Sequence, residues 1–102
     1  MLEFDFFFRQ LKMGQFIDET CFFFRDDKNK EEHCIGYLPQ FKKPYWVGLC
    51  DIENGCEFET AEELVDAKIF GGRSLRERWN EVVIFQIEGL CLESWLDNRN
   101  YS

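Results

Sequence analysis

The chain has 102 residues, 45% hydrophobic and 31% charged, with a formal net charge of −8 at pH 7. A chain of that length builds one domain around one core, and this composition is too apolar for disorder. Its apolar runs fall short of the ~18 residues that a spanning helix needs. The acidic balance argues against nucleic acid and anionic membrane as partners, since both are bound through clustered Lys and Arg.

The first segment carries two periods. Leu2, Phe4, Phe6 and Phe8 alternate as in a strand, while Phe4, Phe7, Phe8 and Leu11 recur as on one helix face. A helix over 4–11 is preferred, with Asp5 as N-cap and Gly14 as its stop. The bulky run Thr20 to Arg25 predicts a strand, and the polar tract Asp26 to Glu32 a hairpin loop. Cys34 to Leu38 is the returning strand, ended by Pro39, and Gln40 to Pro44 a basic turn. Tyr45 to Ile52 is the third strand, and Asn54-Gly55 signals a tight hairpin into Cys56–Glu59.

Helical signals dominate the second half. Thr60-Ala61-Glu62-Glu63 has capping-box spacing, ahead of an apolar stripe of Leu64, Val65 and Ile69 that Gly71-Gly72 should stop. Ser74-Leu75-Arg76-Glu77 repeats the box before a second short helix bearing Leu75, Trp79, Val82 and Val83. Val82 to Ile87 is the best candidate for a buried strand. A brief element follows at Leu92–Leu96, and residues 97–102 are expected to fray. Strands grouped before helices predict a single α+β domain over residues 1–102, with an antiparallel sheet of four to five strands and helices packed on one face.

Five cysteines (Cys21, Cys34, Cys50, Cys56 and Cys91) form no Cys-x-x-Cys. The odd count, and acids at the N-terminus where a signal peptide has bases, lead to an expectation of free thiols in the cytoplasm. Cys21, Cys50 and Cys91 lie in apolar surroundings, where thiols act as small buried hydrophobes. His33 is the only histidine and is expected at the surface. Adjacent strand residues point to opposite faces, so His33 would need a cysteine other than Cys34 for nucleophilic chemistry. A zinc site from His33, Cys34, Cys50 and Cys56 matches no recognised spacing. Gly71-Gly72-Arg73-Ser74 could hold a phosphate ahead of a helix, but a capped turn explains the same residues. The charges at Arg76, Glu77, Arg78 and Glu81 read as a solvated helix face.

The charge is uneven. Seven carboxylates and no base fall between Asp51 and Asp66: Asp51, Glu53, Glu57, Glu59, Glu62, Glu63 and Asp66. Glu62 and Glu63 complement a helix dipole; Asp51, Glu53, Glu57 and Glu59 have no such explanation. A calcium loop at Asp51–Gly55 is disfavoured because its glycine stands fifth where the calcium loop has it sixth. Aromatic residues make up 18% of the chain, enough to fill a core and leave some at a contact surface.

In its size, acidity and lack of a catalytic motif the chain is similar in kind to the small immunity proteins that bacteria keep against nuclease toxins. That resemblance implies a non-enzymatic inhibitor which occludes a basic active site. The expectation is thus a module that binds a basic protein partner, with Asp51, Glu53, Glu57 and Glu59 steering and Tyr45 and Trp46 anchoring. No cofactor or metal is expected, and no direct contact with nucleic acid or membrane. The alternatives are a homo-oligomeric structural or regulatory domain (a homodimer, for instance) and a thiol- or metal-dependent enzyme using His33 and cysteines.

Overall fold

A computed structural model describes residues 2–14 and 17–98. The elements run α1 (Phe4–Met13), β1 (Thr20–Phe24), β2 (His33–Tyr37), β3 (Tyr45–Val47), β4 (Cys56–Phe58) and α2 (Ala61–Asp66). A one-turn 3₁₀ helix (Trp79–Glu81), β5 (Val82–Ile87) and α3 (Leu92–Asn98) complete the order. The strands form one antiparallel sheet in the order β4-β3-β2-β1-β5. The α+β expectation holds, with five strands and helices over one face.

Strand periodicity sorts the side chains. Thr20, Phe22 and Phe24 of β1 lie beside Ile35 and His33 of β2, and beside Ile87, Ile84 and Val82 of β5. Val47 and Tyr45 of β3 continue that row. These residues face the helices and are buried, apart from a half-buried Ile84. Phe7 and Leu11 of α1, Leu64 and Val65 of α2, and Trp95 of α3 close over them in one hydrophobic cluster. Trp79 packs on Phe7, ring centroids 4.9 Å apart, and its indole N–H donates to the Leu2 carbonyl at 2.9 Å. Cys21, Phe23, Cys34, Gly36, Trp46, Glu57, Val83 and Phe85 face the other way.

Several boundaries differ from the sequence expectation. Helix α1 takes Glu3 as N-cap, leaving Asp5 in the first turn, and ends at Gly14 in the left-handed region (φ 65°). Asn54 and Gly55 both have positive φ, at 68° and 78°. They belong to an eight-residue connection, 48–55, so β3 stops at Val47 well short of Ile52. The Thr60 capping box is present, with Thr60 Oγ1 accepting from the Glu63 N–H at 3.1 Å and Glu63 Oε1 accepting from the Thr60 N–H at 3.1 Å. Yet α2 ends at Asp66, before Gly71-Gly72.

The second box also forms, since Glu77 Oε1 accepts from the Ser74 N–H at 2.8 Å and Ser74 Oγ accepts from the Glu77 N–H at 3.1 Å. It opens only turns and the 3₁₀ helix, which runs directly into β5 at Val82. The Lys68 ammonium, 2.8 Å away, and the Ser74 N–H together hold the Glu77 carboxyl down at about 2. Strand β5 lies at the sheet edge, not in its interior, with Phe85 38% exposed. The tail does not begin at Asp97, which is helical, and residues 99–102 lie outside the described residues.

Phe22 sits on the interior strand β1 and is 1% exposed. Phe22→Ala should therefore cost about 3–5 kcal/mol. Thr60→Ala, which removes an exposed cap, should cost about 1 kcal/mol. Urea denaturation of both variants measures the contrast.

Candidate functional site: an acidic cleft at one end of the sheet

An antiparallel meander sends alternate connections to opposite ends. The β1–β2 connection (25–32) and the β3–β4 connection (48–55) therefore emerge together, and the segment 69–72 runs beside them. Between them lies a cleft of about 340 Å³. Phe24, His33 and Phe70 line it along with Ile69 and Leu49, and its polar lining includes Asp26, Asp27, Glu31, Asp51 and Arg78.

Each wall is tied down by a polar side chain. Asp27 accepts from the backbone N–H of Glu31 at 3.0 Å and of Asn29 at 2.9 Å, which closes the 25–32 loop. Those two bonds, the one from Glu31 first, hold its carboxyl below the ordinary 3.8. Asp51 accepts from the N–H groups of Gly71 at 3.0 Å and Gly72 at 2.8 Å, and its own N–H donates to the Ile69 carbonyl at 2.7 Å. The Gly-Gly turn thus does cradle an anion, and that anion is the chain's own carboxylate.

Arg78 forms the most organised contact. Its guanidinium lies 3.7 Å from the Phe24 ring centroid and donates to Asp26 at 2.8 Å, to Glu81 at 3.1 Å and to the Phe70 carbonyl at 3.2 Å. Its side chain is only 13% exposed, so it does not belong to a solvated helix face as expected. A flat guanidinium can stack and fork in this way where an ammonium cannot.

His33 is likewise not at the surface, being 7% exposed. Its ring sits 5.4 Å from Phe22, 5.1 Å from Phe24 and 5.4 Å from Phe70, centroid to centroid. Nδ1 lies 2.8 Å from the Leu49 carbonyl oxygen. A carbonyl can only accept, so Nδ1 carries a proton and donates it to Leu49. Nε2 has no hydrogen-bond partner among the described residues. A nearly buried ring nitrogen without a partner is costly, and His33 lines a cleft that gathers four carboxylates.

The electrostatics favour a cation. Four carboxylates line the cleft against Arg78, which Asp26 and Glu81 already neutralise. A ligand group that carries positive charge and N–H donors suits both the carboxylates and Nε2.

The structure does not bring the six expected contact residues together. Asp51 lines the cleft, and Glu53 lies two residues further along the same 48–55 loop, outside the lining. Trp46 and Glu57 are cross-strand partners on the sheet face away from the helices, where the Trp46 indole donates to Asp18 at 2.9 Å. Glu59 leads into α2. Tyr45 is a core residue, 6% exposed, with its hydroxyl donating to the Lys12 carbonyl at 3.0 Å, so it presents no exposed anchor. Leu49 and Ile52, 43% and 47% exposed on the cleft loop, are the apolar residues that stand free there.

His33 and Cys34 do face opposite sides of the sheet, and no hydrogen bond joins His33 to a cysteine among the described residues. Cys91, expected to be buried, is exposed. No helix is long and apolar enough to cross a membrane among the described residues. No family model, curated protein or solved structure matches the chain.

Backbone bonds from Gly71 and Gly72 hold the Asp51 carboxyl below its ordinary 3.8. A depressed folded-state value means that the bonds stabilise above the unfolded value and are lost as pH falls through the folded one. Asp51→Asn should remove that part of the acid dependence below about pH 4 and cost about 1 kcal/mol at pH 7. Denaturation at pH 7 and pH 3 checks both outcomes. Arg78→Lys should cost about 2 kcal/mol, through loss of the Phe24 stack and the forked donors.

Proposed function

We propose that the protein is a non-enzymatic binding module for a basic protein partner, and that a lysine or arginine of the partner enters the acidic cleft. The observation that carries this reading is the gathering of four carboxylates around the nearly buried His33, whose Nε2 has no hydrogen-bond partner among the described residues. A guanidinium or ammonium N–H can donate to Nε2 of a neutral ring, and the carboxylates supply the counter-charge. Leu49 and Ile52 give apolar contact at the rim. This is the mixture of a desolvated centre and a charged surround that sets affinity and on-rate at interfaces.

In its narrower form the module is an immunity-type inhibitor. It would press its acidic end into the basic groove of a nuclease toxin, in a cytoplasmic setting. The charge of −8 and the cleft chemistry support that form. A second reading, self-association, draws on Phe85 of the edge strand β5 and the neighbouring Phe23 on the sheet face away from the helices, with ring centroids 6.2 Å apart. Light scattering at micromolar concentration separates the two, because cleft binding needs no second copy.

An arginine-rich hexapeptide is the simplest probe. Calorimetry should register binding at low salt that weakens steeply as salt rises. The double substitution Glu31→Gln and Glu53→Gln should weaken it at least tenfold while the melting temperature barely moves. Equal affinity in that variant, or equal affinity at high salt, contradicts the reading.

A further inference from the structure

The sheet face away from the helices carries a thiol pair that the cleft does not use. Cys21 of β1 and Cys34 of β2 stand directly opposite one another in the sheet register. The Cys34 carbonyl accepts from the Gly48 N–H at 2.8 Å and so points toward β3. In an antiparallel sheet a residue turned toward one neighbour is turned away from the other, which makes Cys21–Cys34 a non-hydrogen-bonded pair across β1 and β2. Such pairs bring Cα atoms to about 4.5 Å, within the span of about 4.4–6.8 Å that a disulfide bridges. The two sulfurs are in contact at 2.7 Å. Glu19 adds a third potential metal donor, but tetrahedral zinc holds two thiolates roughly 3.8 Å apart, wider than this pair.

We propose that Cys21 and Cys34 are a disulfide-forming dithiol, oxidised by exchange with a small-molecule disulfide of the glutathione type. Cys34, partly exposed, is the entry thiol, and the buried Cys21 resolves the intermediate. The Cys34 thiolate attacks one sulfur of oxidised glutathione, which forms a mixed disulfide and expels one glutathione thiolate. The Cys21 thiolate then attacks Cys34 Sγ, and the second glutathione leaves. Two protein thiols become one disulfide, one glutathione disulfide becomes two thiols, and the two protein protons pass to the departing thiolates. Burial raises both thiols above their ordinary value, and the hydrogen bond with Cys21 offsets part of this at Cys34. Exchange is accordingly slow at neutral pH and faster in mild base. The closed loop contains Asp26, Asp27 and Glu31, so oxidation fastens the stem of one cleft wall.

The test is incubation of the full chain with oxidised glutathione, followed by alkylation and peptide mass mapping. A Cys21–Cys34 cross-link is expected, with a melting temperature about 10 °C or more higher and reversal by dithiothreitol. Cys21→Ala should accumulate glutathione on Cys34. Cys91, exposed and held below its ordinary value by its hydrogen bonds with Ser94, takes glutathione throughout and reports that the reagent is active. Should Cys21→Ala not fold, the wild-type map decides alone. A wild-type map with both thiols alkylated, with glutathione retained on Cys34, or with a cross-link only at Cys50–Cys56 overturns the proposal. So does stoichiometric zinc whose chelation is needed before the thiols react.

Discussion

The imidazole of His33 is the point on which the cleft end of the molecule turns. It stands on a sheet strand, is boxed by Phe22, Phe24 and Phe70, and holds the 48–55 loop through the Leu49 carbonyl. Phe24 carries the guanidinium of Arg78 on its face, and Arg78 in turn holds Asp26 and the Phe70 carbonyl. One aromatic cluster therefore positions three separate connections. If the ring moved, the Leu49 carbonyl would lose its donor and the loop its tie to the sheet. The cleft is shaped by the same contacts that close the core at that end.

The acidity of the chain divides into two populations. Asp27, Asp51 and Glu63 accept from backbone N–H groups, while Glu62, Asp66 and Glu77 pair with Lys12, Arg76 and Lys68. These carboxylates hold loops and helix ends, although the exposed ion pairs among them contribute little each. Glu31, Glu53, Glu57 and Glu59 have no hydrogen bond or ion pair among their side chains within the described residues. Such carboxylates keep their charge in water and add nothing to the fold. The proposed function rests instead on the carboxylates that line the cleft, Asp26, Asp27, Glu31 and Asp51, and on the His33 ring among them.

Much of the architecture is legible in the sequence, because period-two apolar runs and capping boxes are local signals. The bulky run Cys21-Phe22-Phe23-Phe24, the Thr60 box and the Val82–Ile87 strand all fall where the pattern places them. The Ser74 box is legible as a set of bonds but not as a helix start, since a capping box fixes one turn and leaves the residues beyond it undetermined. The cleft is not legible. It is made by three connections, each polar and irregular, whose proximity depends on the order of strands. His33 does have a readable signal: His33, Ile35 and Tyr37 alternate, so the period of β2 places the ring on the buried face. Arg78 has none, because its stack on Phe24 joins residues separated by more than half the chain. Tyr45 misleads for the opposite reason, since an aromatic at a strand start serves core and surface equally well by composition.

The most direct test is the protonation pattern of His33, read by nitrogen NMR of the imidazole-labelled protein across neutral pH. The neutral ring should carry its proton on Nδ1, locked to the Leu49 carbonyl, and Nε2 should shift when an arginine-rich peptide is added. A neutral ring protonated on Nε2, or an Nε2 resonance indifferent to the peptide, would contradict the central role given to this side chain.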